Sequence, residues 1–388
     1  MEAKTLFNKI AESRLLKTLL KRGNIAFIGD EDTIRYLNKF FEQNNKPCNY
    51  DYYSWEENSS NSFPALNTLL KNQYDAIIIA SINNEHIIWD NFKQYLNNLS
   101  IEIPTLKLFS DIFVNLKLNQ PLLQPSSCEI IFPKVAYAIV STPRAGSTVL
   151  CEALSSTKIA GFPKEDLRES SAILTQHCRF DSARLLQMLM TYKTTQNGVF
   201  GTKLIFQFLS VFSQSEDFEQ ILKQFKLIYL TRRDKIAQAV SLFLAQKTKI
   251  WHIYSSQQNK KYQSQLKQVN IEDSDLEILH SIYQRILNQE HFLESFFERC
   301  QLVPLIIEYE KFIEQPEKHL NTIVNYLNIV DKNQQIRILN RYQYRLYQVM
   351  KALKIKGEDE KIRIKFTTRQ LQSNTSRQII SRYQEKYS

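Results

Sequence analysis

The residues best arranged for chemistry lie in one stretch, Tyr137 to Leu154. Its first five residues, Tyr137 to Ser141, have the apolar character of a buried strand, and its end alternates apolar and small residues at helical spacing. Between them, Thr142-Pro143-Arg144-Ala145-Gly146-Ser147-Thr148 supplies an arginine, a glycine for a tight turn and two hydroxyls where the helix would begin. A strand-to-helix turn of this kind suits an anion, because the first amides of a helix lack intrahelical partners and the helix dipole is positive there. Arg144 adds a planar fork of donors matched to phosphate or sulfate.

The loop is not a Walker A loop. That motif needs Gly, four residues, Gly-Lys and Ser or Thr; here Ser141 stands at the first glycine and Ser147 at the lysine. A smaller anion than a triphosphate is expected. Other groups with chemical potential follow along the chain: Glu165 in Gly161-Phe162-Pro163-Lys164-Glu165, Lys203 after a strand bearing Gly198 and Gly201, Arg232 and Arg233 at the end of a buried strand, and Ser241 eight residues after Arg233. His252 beside Trp251 is a further base or acceptor contact. Each has a structural alternative: Glu165 as a helix cap, the arginines paired with Asp234, His252 and Trp251 as packing.

In these residues the chain resembles the trehalose 2-sulfotransferase-like family of bacterial carbohydrate sulfotransferases. Ser141 to Thr148, with Leu150-Cys151-Glu152 and Gly161 to Glu165, is similar to the family's phosphosulfate-binding segment. Gly198 to Leu204, Leu230 to Ser241 and Tyr309-Glu310 match three further segments in family order, so the resemblance runs from about Val135 to the C-terminus.

That resemblance implies sulfuryl transfer from 3′-phosphoadenosine 5′-phosphosulfate (PAPS) to a hydroxyl of a carbohydrate or glycolipid, with no metal required. Arg144, Ala145, Gly146, Ser147 and Thr148 would hold the 5′-phosphosulfate. Arg232 or Arg233, with Ser241, would hold the 3′-phosphate; the eight-residue spacing favours Arg233, the family's own arginine aligns with Arg232, and both stay open. Glu165 matches the family's general base, with Arg144 and Lys203 as cations at the reacting group. Phe162 stands where the trehalose-using relatives carry an acidic residue that contacts the sugar, so an acceptor other than trehalose is expected.

Elements to position these residues can be read around them. A chain of 388 residues suggests about two domains. Residues 1–120 alternate short β-branched runs with amphipathic ones and read as a small Rossmann-like α/β domain of unknown role; 121–134, with three prolines, read as a linker; 135–388 read as the sulfotransferase domain. The fold class is thus α/β, a P-loop-like three-layer parallel-sheet domain preceded by the smaller one. The first turn of the smaller domain, Gly29-Asp30-Glu31-Asp32, puts three acids where a pyrophosphate would sit and lacks G-x-G-x-x-G, which argues against nucleotide there. The basic helix read over Leu6 to Lys21 is expected to pack on a sheet.

In the second domain a helix is expected over Phe180–Thr191, strands over Val199–Ile205, Leu227–Thr231 and Leu302–Tyr309, and helices over Lys235–Lys247, Ser274–Arg299 with Ser274 as cap, and from Pro316 to near Leu327.

Composition bounds the partners. A net charge of +10, with twelve Lys or Arg against four Asp or Glu from Arg341 to Ser388, permits an anionic substrate, peripheral contact with an anionic membrane surface, or nucleic acid. No specific nucleic-acid motif accompanies it, and a homo-oligomer is compatible with the composition. Five widely spaced cysteines (Cys48, Cys128, Cys151, Cys178, Cys300) lack metal spacing, and no His pair suggests zinc. No apolar run reaches the ~18 residues of a membrane span, and the N-terminus lacks signal-peptide character, so a cytoplasmic protein is expected. The rival readings are a non-catalytic sulfotransferase-like binder of nucleotide or nucleic acid, and a P-loop kinase.

Overall fold

The computed structural model describes residues 16–17, 23–31, 33–35, 37–38, 50–55, 73–81, 84–109, 111, 133–168, 182–251, 256–329, 335–340, 343–345, 347–348, 361–366 and 373–387. All but residues 16 and 17 of the Leu6–Lys21 helix, nearly all of the 121–134 linker, His252, Cys48, Cys128 and Cys178 lie outside these residues. The chain separates into two compact units, residues 1–131 with 167–192, and residues 132–166 with 193–388. Segment 167–192 thus groups with the first unit, a membership that a single boundary at 121–134 does not contain.

The first unit holds a parallel sheet of β1 (Ile25–Gly29), β2 (Tyr50–Ser54), β3 (Ala76–Ile79) and β4 (Thr105–Lys107), in the order β2-β1-β3-β4. Strands β1 and β3 are buried throughout, as parallel strands covered on both faces should be. Helix α1 (Glu85–Asn98) packs Ile88, Phe92 and Leu96 against Ala26, Ile28, Ile77 and Ile79. Asp30, in the acidic turn after β1, accepts from the Thr33 amide at 2.8 Å and the Thr33 hydroxyl at 2.9 Å, so this carboxylate caps its own helix.

The second unit is built on β5 (Val135–Ser141), β6 (Val199–Ile205), β7 (Lys226–Thr231) and β8 (Leu305–Glu308), all parallel, in the order β6-β5-β7-β8. Parallel strands need long crossovers. Here these include α2 (Ser147–Ser156), α3 (Ser182–Lys193), which as far as Tyr192 groups with the first unit, α4 (Phe206–Phe212), α5 (Glu216–Leu222), α6 (Lys235–Thr248), α7 (Ser256–Gln268) and α8 (Asp273–Arg299). After β8 come α9 (Tyr309–Glu314), α10 (Pro316–Leu327), the parallel pair β9 (Gln335–Leu339) and β10 (Lys361–Lys365), and α11 (Asn374–Tyr387).

Central β5 has β6 on one side and β7 on the other, so its connections diverge at its C-terminal end, where open α/β sheets bind ligands. One core joins Tyr137, Ile139, Ile228, Leu230 and Ile307 to Leu150 and Leu154 of α2 and Leu320, Ile323 and Val324 of α10. Tyr137 explains Gly201. The two pair in register, Tyr137 donates to the Ala160 carbonyl at 2.6 Å, and a Cβ on Gly201 would sit 2.5 Å from the Tyr137 ring. A second core ties Val240, Leu244 and Phe243 of α6 to Leu279 and Ile282 of α8 and to Ile379 and Tyr383 of α11.

Two expectations are corrected. Helix α8 is capped by Glu272, reciprocally with Asp275, which places Ser274 inside the first turn. Strand β8 begins at Leu305, three residues after the expected Leu302. Among the described residues no helix is long and apolar enough to cross a membrane, and no cluster of three metal-ligating side chains occurs.

Candidate functional site

Strand β5 ends at Ser141, and six residues later, at Ser147, the chain is already helical. Gly146 makes this turn, sitting at the N-cap of α2 with φ of 99°. Among the described residues no side chain caps the helix, which leaves its first amides open to an external group. Gly146 also has a steric role: a Cβ there would lie 2.2 Å from the Tyr309 ring, so that ring lies directly over the loop. Ala145 and Ser147 are buried, and Thr148 is half-buried.

Arg144 has a φ of 63°, in the left-handed region that costs an L-residue about 1–2 kcal/mol. The surroundings hold it there. Its Nε donates to Ser241 Oγ on α6 at 3.0 Å, and its Nη1 donates to the Trp251 carbonyl at 2.5 Å. Burial lowers its affinity for its proton, and neighbouring Arg232 acts in the same direction, while Tyr262 and Tyr309 oppose it. From its ordinary value such a shift leaves a guanidinium charged at neutral pH.

Gln238, fully buried on α6, fixes the rest of the loop, its Nε2 donating to Thr142 Oγ1 at 2.8 Å and to the Pro143 carbonyl at 2.7 Å. Its Oε1 is buried without a partner among the described residues. Sequence reasoning gave Gln238 no role, although it stands three residues before Ser241, where one helical turn places both on the same face.

On another side of the loop, Lys203 and Glu165 form an ion pair at 2.6 Å, with side chains only 8% and 15% exposed. Lys203 Nζ also lies 3.4 Å from Thr148 Oγ1. Lys203 lies within β6 opposite Ile139, rather than after the strand, and is buried. Glu165 is brought to it by backbone: Lys164 and Thr202 form an isolated parallel bridge, and the Lys203 amide donates to the Lys164 carbonyl at 3.0 Å. Residues 162–168 around Glu165 are not helical. Phe162 is 52% exposed and Trp251 46% exposed, large aromatic surfaces turned to solvent.

The two arginines after β7 diverge. Arg232 turns to the loop: its Nη1 donates to the Arg144 carbonyl at 3.4 Å and its guanidinium lies over the Tyr309 ring at 5.4 Å. Arg233 is 73% exposed at its side chain and reaches Glu308 at 4.0 Å. Asp234 caps α6 through the Ala237 amide at 2.8 Å, and Lys235 pairs with Glu290 of α8 at 2.6 Å. The structure therefore gathers Arg144, Ser241 and Arg232 along one side of the loop and Thr148, Lys203 and Glu165 along another. Cys151, in α2, is buried with its thiol pushed up to about 12, and is packing rather than nucleophile.

A helix start flanked by the buried Lys203 and the half-buried Arg144 is equipped to hold an anion and stabilise charge growing on it, and a carboxylate beside it can take a proton. Comparison with known proteins bears on which anion. No curated protein matches the chain. The sulfotransferase domain of an olefin synthase from Synechococcus PCC 7002 is similar in structure at 16% identity over 68% of this chain and 98% of that one, with a TM-score of 0.32, too loose a likeness to bear on function. The family model described as Stf0 sulphotransferase matches residues 136–341, which contain Arg144, Glu165, Lys203, Arg232, Gln238, Ser241 and Tyr309. That match takes in more than half of the 388 residues, and the chain belongs to the Stf0 sulphotransferase family.

Proposed function

We propose that the protein transfers a sulfuryl group from PAPS to a hydroxyl of a carbohydrate or glycolipid acceptor. The observation that carries this reading is the ion pair of Lys203 and Glu165 next to Thr148, at the start of the helix that the anion loop opens. It sets a cation and a base side by side where a sulfuryl group held by the loop would react.

In this reading the loop amides of 145–148 hold the 5′-phosphosulfate. Lys203, with Arg144 once it turns from Trp251, stabilises charge on the bridging oxygen as its bond to sulfur breaks. The acceptor oxygen bonds to sulfur, Glu165 takes the acceptor proton, and adenosine 3′,5′-bisphosphate leaves. Ser241, with Arg232 or Arg233, receives the 3′-phosphate. Phe162, exposed three residues before Glu165, forms part of the acceptor surface and suits a sugar face or a lipid aglycone. The second unit is read as a P-loop-like domain and the first as a Rossmann-like one serving as scaffold, docking surface or acceptor-recognition element. A cytoplasmic setting agrees with the free thiols of Cys151 and Cys300.

The test is a thermal-shift comparison, since a ligand that binds only the folded state raises stability by about 2.7 kcal/mol at a hundred times its Kd. Adenosine 3′,5′-bisphosphate should stabilise the protein where 5′-AMP and ATP do not. Equal stabilisation by ATP would favour a P-loop kinase, and stabilisation by polynucleotides alone, with a steep salt dependence, would make it a nucleic-acid binder.

A further inference from the structure

Two segments that handle anions in the proposed reaction, the loop after β5 and the arginine turn after β7, are both touched by one dipeptide, Tyr309-Glu310, at the start of α9. Tyr309 covers Gly146 and carries Arg232 over its ring. Glu310 spends both carboxylate oxygens on the arginine turn. Its Oε2 accepts from the Arg233 amide at 3.0 Å and its Oε1 from the Asp234 amide at 3.1 Å, while Arg232 Nε lies 3.9 Å from Oε1. These bonds cross 77 and 76 residues of sequence. They fall on the two residues between Arg232 and Lys235, where a turn has no ladder to fix it. Burial alone would raise the Glu310 carboxyl; the two amides, its own amide and the Arg232 charge together leave it below the usual carboxylate range, so it is ionised at neutral pH.

We propose that Glu310 is a positioning residue for donor binding, a two-oxygen brace that sets the backbone of the Arg232–Asp234 turn and so aims its two guanidinium groups. Placing a carboxylate beside an anion site makes electrostatic sense only in this role. As a bystander, Glu310 would repel a phosphate or sulfate, and removing its charge would tighten anion binding. As a brace, its removal releases the turn and weakens binding. The two roles predict opposite signs.

The chemistry also separates the variants. Glutamine matches glutamate in size but offers one acceptor oxygen, and its NH2 would face the second backbone N–H, donor against donor. Glu310→Gln should therefore behave much like Glu310→Ala. The experiment is calorimetric titration of wild-type protein, E310Q and E310A with adenosine 3′,5′-bisphosphate, alongside peptide-resolved amide hydrogen exchange over residues 232–236 and over β5. The brace predicts that both variants bind at least about tenfold more weakly and that exchange rises in 232–236 while β5 stays protected. Affinity in E310Q equal to or tighter than wild type overturns it, as does loss of protection spread over β5, which would mark a general structural role. The inference rests on the donor reading for its binding arm alone. If wild-type protein takes no nucleotide, the donor reading falls, and local exchange in 232–236 still decides the brace.

Discussion

Arg144 and Ser241, 97 residues apart, are joined by a hydrogen bond of 3.0 Å from Nε to Oγ. The arginine of the anion loop is thereby fastened to the helix that follows the arginine turn, and its other arm rests on the Trp251 carbonyl. A lysine at this position could not reproduce both contacts, because it is a point charge without a fork. Arg144→Lys should keep much of the donor affinity yet lower turnover, and Arg144→Ala should lower turnover by about 10²- to 10³-fold. Steady-state kinetics with labelled donor over an acceptor panel would show this. Turnover in the alanine variant within a factor of about three of wild type, well short of a lost charge-stabilising donor, would remove Arg144 from the chemistry.

Arg232 and Arg233 should differ in kind. Arg232 is held between Tyr309, Glu310 and the loop carbonyl, so its loss disturbs the loop for any ligand. Arg233, largely exposed and 4.0 Å from Glu308, would turn to the 3′-phosphate in the proposed reaction. Arg232→Ala is expected to weaken adenosine 3′,5′-bisphosphate and 5′-phosphoadenosine ligands alike. Arg233→Ala should weaken the 3′-phosphorylated ligand selectively, because a charge-assisted contact made to one ligand only is what separates the two. If the selective loss appears in the Arg232 variant instead, the roles are exchanged.

The Lys203–Glu165 pair allows catalysis to be separated from stability. Glu165→Gln should cut turnover by about 10²- to 10⁴-fold. It also leaves a buried ammonium unpaired, a change that costs about 3–5 kcal/mol in other proteins. The double variant Glu165→Gln/Lys203→Met should recover much of the melting temperature and none of the turnover. A double variant that regains activity would show that Glu165 is not the base.

Gly146→Ala meets two obstacles at once, a φ of 99° and the Tyr309 ring 2.2 Å from the new Cβ. The backbone strain alone is about 1–2 kcal/mol. Pairing it with Tyr309→Ala should relieve the clash but not the strain, so the double variant should melt above the sum of the two single losses. Strict additivity would mean that the ring and the loop are not coupled.

For Cys151 the sign follows from its thiol being raised, by burial first, to about 12. The folded state holds this proton more tightly than the unfolded chain. Its contribution to stability is therefore whole below the ordinary thiol value near 9 and lost as pH climbs toward 12. At pH 8.5 iodoacetamide should leave the Cys151 peptide unlabelled in native protein and label it in urea, read by mass spectrometry. Rapid native labelling would contradict the burial.

Much of this protein is written locally. The strand, turn and helix from Val135 to Ser156 were readable because one contiguous run carries both the apolar periodicities and the glycine that joins them. Strand β6 and helix α10, with Pro316 in its first turn, were legible for the same reason. Strand β2, Tyr50-Asp51-Tyr52-Tyr53-Ser54, escaped because an edge strand need not be apolar, and α7 because Gln- and Lys-rich residues carry little hydrophobic pattern. Residue types near the site were likewise visible as a set of cations, hydroxyls and one carboxylate in four separate segments.

Their division of labour was not visible, because it depends on which strands are neighbours. Setting β6 beside β5 buries Lys203 and delivers Glu165 to it through the Lys164–Thr202 bridge. Setting β7 on the other side turns α6 so that Gln238 and Ser241 grip the loop, and β8 beyond it brings Tyr309 and Glu310 to that same end of the sheet. Periodicity in a sequence reports which face of an element is apolar; it carries no record of strand order, and strand order decides which polar groups 76 to 97 residues apart come within hydrogen-bonding distance.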